Sequence, residues 1–560
     1  MPSASFITEM NRKQGSQPVV KLEFIDKANN VTDISRYYVS GANFEFSRER
    51  APDVIQAGNF DVVVINSDNT FSEFDPSSLF YNLDYTLAKI RISLGFVLST
   101  GLIEYETQAV GYIDQITTNP IESTVTLRCR DIMRRILDSV LRNRPENEIP
   151  ILGTSSGNGF MSKVSTLPFS TVNEDWTVTC TTGGVDSVAQ FSVVGTVSGS
   201  IGPATSGIDF SDTTAGIKFK ISSGSIAWDI GDVFTFSTNQ APEWDTINAV
   251  KIIWSILTGY NWDSDTQEPF SSLVLNFDRT QSSANVDIDY DSFVSTISGI
   301  DELGEALKLK GYIDYESSAS GFIEGILVLF FGSLFTGSDG RIKIQTHLPI
   351  FGGTALDGSF SDADKISALG YSKTIDEVIN FVTVAYKNSD IWGFSDESQP
   401  LDGAYSFSDS ASITKYGKLL YSLTTDWFVP NGIHIKGVGS TLIQKFSEPP
   451  LNIEFQTGLD ALLMNVGDYV DVTDTKYYLS DVKGEIVQVS RSFDNEPKSV
   501  SIRIRRDNDI DLLWGFLGSN VDEGDGESPQ SSNWDTATEL DKRFIYLSQT
   551  GGGGPDYRMY

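Results

Sequence analysis

Residues 31–131 and 375–505 each read as a series of short strands in which apolar and polar side chains alternate. Period-two alternation places every second side chain on one face of a sheet, so such segments fold as half-buried strands and not as helices. Val20-Lys21-Leu22-Glu23-Phe24 shows the pattern ahead of the first stretch, and Val125, Leu127 and Cys129 show it at the end. In the second stretch Val500, Ile502 and Ile504 alternate with Ser501, Arg503 and Arg505. At 560 residues the chain is too long for one core, and about three to five domains are expected.

The fold class expected is mainly β, with an α+β middle domain. Residues 1–150 form the first β domain and a following helix. Asp131 caps that helix, and Ile132, Met133, Ile136, Leu137, Val140 and Leu141 fall on one face until Arg144-Pro145 ends it. Across 151–242 the composition turns to Ser, Thr, Gly and Val, and four alternating runs predict an inserted antiparallel β-sandwich. Residues 243–372 are mixed: one helix starts at Asp245 and stops at Gly259, a second lies within 291–309, and a third occupies the apolar run 322–335. Residues 373–515 return to strands, interrupted by a helix near 437–446. Residues 516–560 read as an acidic, glycine-rich linker and a tail with exposed aromatics, which either docks on a neighbour or returns as a strand to its own domain.

The charge excludes some partners. With 75 acidic and 41 basic residues the formal net charge is −34, the wrong sign for gripping nucleic-acid phosphates or an anionic membrane. The N-terminal segment lacks the apolar run of a signal peptide. The run 322–335 contains Glu324 and falls short of the ~20 residues that span a bilayer. Cys129 and Cys180 are the two cysteines; they offer no disulfide framework, and Cys129 alternates inward as a small hydrophobe. Folding in a reducing cytoplasm is expected.

Catalytic chemistry is not expected. Only His347 and His434 occur, far apart and without a His-Glu-x-x-His arrangement, and neither cysteine has a supporting motif. Asp263-Ser264-Asp265 and Asp287-Ile288-Asp289-Tyr290-Asp291 resemble the beginnings of calcium loops but lack the turn glycine and terminal glutamate, and 522–527 has glycines in the wrong spacing. These read as solvated loops, with an incidental Ca²⁺ the alternative. No phosphate loop or dinucleotide fingerprint is present. No catalytic, cofactor-binding or metal residue is assigned, and no cofactor. Carboxylate-based polysaccharide hydrolysis stays open, because carboxylates that pair only in the fold cannot be picked from spacing.

Several motifs carry a resemblance. Gly58-Asn59-Phe60-Asp61-Val62-Val63-Val64-Ile65-Asn66-Ser67-Asp68-Asn69, with Phe71-Ser72 and Asp75-Pro76, is one. Val110-Gly111-Tyr112-Ile113-Asp114 followed by Thr124-Val125-Thr126-Leu127-Arg128-Cys129-Arg130-Asp131 is a second. Further along come Gly340-Arg341-Ile342-Lys343-Ile344, Ser412 to Tyr416-Gly417, Pro449-Pro450, Ile453-Glu454-Phe455 and Gly467-Asp468-Tyr469-Val470. In this order they resemble the baseplate-hub and tail-tip hub proteins of siphophages, myophages and gene transfer agents. The resemblance implies two hub-type β-barrel domains, in 1–150 and 373–515, that alternate around an axis, so that a homotrimer makes a ring of pseudo-sixfold symmetry. It implies a structural virion protein at the distal end of a tail, made in the host cytoplasm. Expected partners are the sixfold tail tube or distal tail protein, central fibre or tip proteins and the tape measure protein, with DNA present only in passage. The alternative is a host-surface, carbohydrate-binding adhesin acting through the inserted β domain. Trp176 and Trp228 would serve there if exposed, whereas a sandwich core would bury them.

Overall fold

The computed structural model describes residues 2–507 apart from 13–17, 42, 48–54, 56, 82–87, 142–149, 168–169, 241, 280–285, 302–307, 314–316, 347–355, 388–402, 429–431 and 493–498. The expected C-terminal linker and tail, and residues 522–527, lie outside the described residues. A fourteen-stranded sheet runs through two modules. The first comprises β1 (Pro18–Ile25), β2 (Asn43–Ser47), β3 (Asn59–Ile65), β4 (Lys89–Val97), β5 (Ile103–Asn119) and β6 (Thr124–Arg130), in the order β1-β4-β5-β6-β3-β2. All of these neighbours are antiparallel. The alternation explains the core: Phe60, Val62 and Val64 of β3 and Val125, Leu127 and Cys129 of β6 are buried on one face. The helix α1 (Ala4–Met10) covers that core, with Phe6 edge-on to Phe96 at 5.0 Å.

The second module comprises β7 (Gly358–Phe360), β8 (Gly370–Ser372), β9 (Leu451–Thr457), β10 (Tyr469–Asp474), β11 (Leu479–Ser492) and β12 (Ser499–Arg506), in the order β7-β10-β11-β12-β9-β8. Every pairing is antiparallel except β7 with β10. Its core gathers Ile453, Phe455, Val470, Val472, Ile486, Val489, Val500, Ile502 and Ile504. Among the described residues the pairings close neither module into a barrel. The sheet passes instead from one module to the next.

The strands expected together across 373–515 divide between two sheets. Phe381–Lys387, Gly403–Ser408 and Leu420–Phe428 join Glu243–Asn248 and Lys308–Tyr312 in a separate five-stranded sheet. The reason is apolar burial: Val382, Val384 and Leu423 share a core with α3 (Ala249–Thr258), α4 (Tyr290–Asp301) and α5 (Ala319–Leu327). The segment Ser412 to Tyr416, read with the strands, lies in the helix α6 (Ser410–Tyr416), whose N–H groups at Ala411 and Ser412 donate to Asp409 Oδ1. The helix α7 (Gly432–Phe446) adds Val438, Leu442 and Phe446 to the same core.

Two helices are shorter than their apolar patterns suggest. The helix α2 (Met133–Leu137) ends before Val140–Leu141, which instead forms a two-stranded pairing with Ser317–Ser318. The apolar run 322–335 leaves helix after α5 and a 3₁₀ turn. Phe331 adopts φ 52° there, and Gly332–Thr336 then pairs with Ile342–Thr346. No helix among the described residues is long and apolar enough to cross a membrane.

The segment between β6 and α3 holds a five-stranded and a four-stranded sheet, both antiparallel. They enclose a core of their own containing Trp176, Val178, Phe191, Phe219, Trp228, Phe234 and Phe236. Trp176 and Trp228 are each 1% exposed, so neither is a surface platform for a sugar ring.

Candidate assembly interface

The two modules repeat one another in pairing register. β5 meets β6 through seven partner pairs: Tyr112–Arg130, Ile113–Cys129, then, after a bulge at Asp114, Gln115–Arg128, Ile116–Leu127, Thr117–Thr126, Thr118–Val125 and Asn119–Thr124. β11 meets β12 through seven as well: Glu485–Arg505, Ile486–Ile504, then, after a bulge at Val487, Gln488–Arg503, Val489–Ile502, Ser490–Ser501, Arg491–Val500 and Ser492–Ser499. The bulges coincide. A bulge adds twist at a fixed point and resets which side chains face inward, so its position defines a hairpin more strictly than strand length does. The agreement continues outward, with Phe60–Cys129 matching Ile453–Ile504 and Ile90–Gly111 matching Val470–Gly484. Ile113 N–H donates to Ala88 O at 3.0 Å, and Ile486 N–H donates to Asp468 O at 2.8 Å.

The side chains follow the register. Thr124-Val125-Thr126-Leu127-Arg128-Cys129-Arg130 aligns with Ser499-Val500-Ser501-Ile502-Arg503-Ile504-Arg505, and Gly111-x-Ile113-x-Gln115 aligns with Gly484-x-Ile486-x-Gln488. Arg128 pairs with Asp61 at 3.3 Å, and at the matching place Arg503 pairs with Glu454 at 3.2 Å. Both glycines sit where the last strand crowds the long one. A Cβ on Gly111 would stand 2.7 Å from Phe60 Cε1 and 3.0 Å from Cys129 Cβ, and one on Gly484 2.5 Å from Ile504 Cγ2 and 2.9 Å from Arg505 O. Glycine is what allows that approach.

One strand joins the modules. β2 pairs with β3 on one edge, Phe44 opposite Phe60. Its other edge pairs with the far half of β11: Asn43–Ser492, Phe44–Arg491, Glu45–Ser490, Phe46–Val489 and Ser47–Gln488. β10 covers β11 only as far as Glu485, so β2 continues the sheet where β10 stops. Phe46 packs against both module cores, and Leu462 of the second module is buried in the core of the first. Arg491, 1% exposed, holds this seam. Its Nη2 donates to Met464 O at 2.6 Å and Leu462 O at 3.2 Å, and its guanidinium lies 5.8 Å from the Phe44 ring centroid. Burial lowers its pKa to about 10, and burial also pushes nearby Asp468 up to about 6. At the end of β6, Asp131 accepts N–H groups from Gly58 and Met133, and burial raises its carboxyl to about 7.

Four of the five carboxylates in 263–265 and 287–291 are tied to bases. Asp263 pairs with Lys251, Asp265 with Arg279, and Asp289 with Lys343. Asp287 faces Lys89, Arg135 and the Tyr112 hydroxyl, which pins the first module to the middle region. Among the described residues no group of three or more His, Cys, Asp or Glu could hold a metal ion. His434 falls in α7, His347 lies outside the described residues, and Cys129 and Cys180 are buried and unpaired with each other.

No protein-family model matches the chain, and no curated protein matches it either. Among solved structures it is similar to a tail protein from Neisseria meningitidis MC58, at 8% identity and a TM-score of 0.40 over 87% of this chain and 96% of that one. It is similar to the prophage MuSo2 43 kDa tail protein from Shewanella oneidensis, at 11% identity and a TM-score of 0.38 over 86% and 98%. It is also similar to the prophage tail protein gp18 from Listeria monocytogenes EGD-e, at 8% identity and a TM-score of 0.38 over 87% and 95%. TM-scores of this size lie below the level at which a common fold follows.

Proposed function

We propose that this chain is a structural protein of a phage or phage-like tail, the hub at its distal end. Three copies form a ring of six β modules that continues a sixfold tail tube and surrounds the passage for DNA. The observation that supports this reading is the internal repeat: two modules with one bulge-for-bulge register in each copy let a threefold assembly present six near-equivalent units. The motif resemblance of the sequence points to the same role. The hub-type barrel of that resemblance would be completed in the ring, where module edges meet neighbours. A net charge of −34 suits a wall past which phosphates must slide without sticking. In this role the chain is a scaffold and performs no catalysis, and its partners are the tail tube or distal tail protein on one side and fibre or tip proteins on the other. The test is the mass of the purified protein in solution. Three copies of 61.5 kDa, about 185 kDa, are expected, and a particle of fixed mass with any other copy number would refute the trimer.

A further inference from the structure

Among the described residues, the junction inside the chain has an unfilled acceptor in the first module and an unfilled donor in the second. In the filled junction, β2 is the donor and Gln488–Ser492 of β11 the acceptor. The register makes Gln115–Asn119 of β5 the equivalent acceptor. β4 stops covering β5 at Tyr112, and among the described residues no strand pairs with the edge of β5 beyond it. Exposure follows the difference. Val489 and Arg491 are buried under β2, whereas their counterparts are half-buried Ile116 and exposed Thr118. The donor side is matched as well. Phe44 lies opposite Phe60 in β3, and Tyr371 of β8 lies opposite Ile453, the counterpart of Phe60, in β9. β8 has β9 on one edge and, among the described residues, nothing on the other. Phe44 is 3% exposed, while Tyr371 is 59% exposed.

We propose that the free edge of β8 in one copy adds to the free edge of β5 in the next copy, repeating between chains the β2–β11 junction within the chain. An acceptor edge and a donor edge that no described strand covers, at matching positions of two repeated modules, make a head-to-tail contact, which closes into a ring when the rotation per module is shared. Edge addition satisfies the backbone N–H and C=O groups that an exposed strand otherwise presents to water. The internal register specifies the pairs: Gly370 opposite Asn119, Tyr371 opposite Thr118, Ser372 opposite Thr117 and Lys373 opposite Ile116. Tyr371 then becomes covered as Phe44 is. The number of copies rests on the hub reading above, whereas the junction rests on the register alone.

The experiment is a cysteine pair in the full chain, Thr117→Cys with Ser372→Cys. These positions face each other on the outward side, as Ser490 and Glu45 do, and both native cysteines are buried. Mild oxidation should convert the double variant into covalent dimers and then a closed trimer on a non-reducing gel, with each single variant unlinked. The one-step-shifted pair, Thr117→Cys with Tyr371→Cys, should fail to link because its side chains lie on opposite faces. As a second readout, Tyr371→Ala should weaken self-association by roughly tenfold or more and leave the monomer folded. Native trimers without a cross-link in the double variant would overturn the junction and leave the trimer standing. Cross-links that close at another copy number would support the junction and overturn the trimer. Monomers without cross-links at every concentration would overturn both.

Discussion

Gly484 and its counterpart Gly111 make the repeat testable in energy. An alanine Cβ at 484 would stand 2.5 Å from Ile504 Cγ2 and 2.9 Å from the Arg505 carbonyl oxygen. Ordinary contact begins near 3.4 Å, so strands β11 and β12 must part by several tenths of an ångström or the Ile504 side chain must leave its rotamer. Overpacking of this kind costs about 1–3 kcal/mol. At 111 the nearest atom is the edge of the Phe60 ring, 2.7 Å away, which can tilt. Gly111→Ala should therefore fall at the lower end of that range and Gly484→Ala at the upper. Hydrogen exchange read peptide by peptide separates the modules, since local opening free energies set the rates. Gly484→Ala should speed exchange across residues 479–506 by roughly 30- to 150-fold and leave the sandwich around Trp176 unchanged. Ile504→Ala alone should cost about 2–5 kcal/mol, but combined with Gly484→Ala it should recover about 1 kcal/mol or more relative to the sum, because the new methyl occupies the space vacated. A neutral Gly484→Ala, or strict additivity in the double variant, would refute the close approach.

Arg491→Ala should destabilise the seam by about 2–4 kcal/mol, since it opens a cavity and strips the Leu462 and Met464 carbonyls of a charged donor; faster exchange over 459–466 would register it. The Asp131 carboxyl, at about 7 in the fold against 3.8 otherwise, makes the folded state bind the extra proton between those values. Stability should thus fall as pH rises from about 4 to 7 and level off above, by at most about 4 kcal/mol. Asp131→Asn should flatten most of that slope in thermal unfolding, leaving a smaller one of the same sign from Asp468, at about 6. Trp176→Ala should cost the inserted sandwich about 3–5 kcal/mol without changing exchange in 103–130, because the two cores are separate.

Much of the repeat was present in the sequence as local pattern. Thr124 to Arg130 and Ser499 to Arg505 differ mainly by exchanges of similar residues, and each reads unaided as a half-buried strand. Their equivalence becomes evident only when the two hairpins are aligned on Gly111 and Gly484, because the turns and flanks differ. Partner choice was not legible. Nothing in Asn43–Ser47 says that it pairs with a strand more than four hundred residues away, since edge pairing is a backbone interaction with little side-chain signature. The division of 373–515 was hidden for a related reason. Val382 and Val384 alternate as well for one sheet as for another, and only the apolar face that meets them, here that of α7, decides. The run 322–335 reads as one helix because apolar length alone does not separate helix from strand. The break comes at Phe331, a residue with positive φ that propensity would not select. Trp176 alternates with Val178 and Cys180 in its strand, which favours burial; Trp228 bridges Gly184 outside any strand, and neither its burial nor the seam around Arg491 was legible.

In the proposed assembly, two equivalent modules in each copy continue around a ring through strand edges. Image reconstruction of the assembled oligomer tests it most directly. Six β lobes from three chains should surround an open passage, with density for residues 370–373 of one copy running antiparallel beside 116–119 of the next. A twofold particle with like faces in contact, or a ring in which those two edges face solvent, would contradict it.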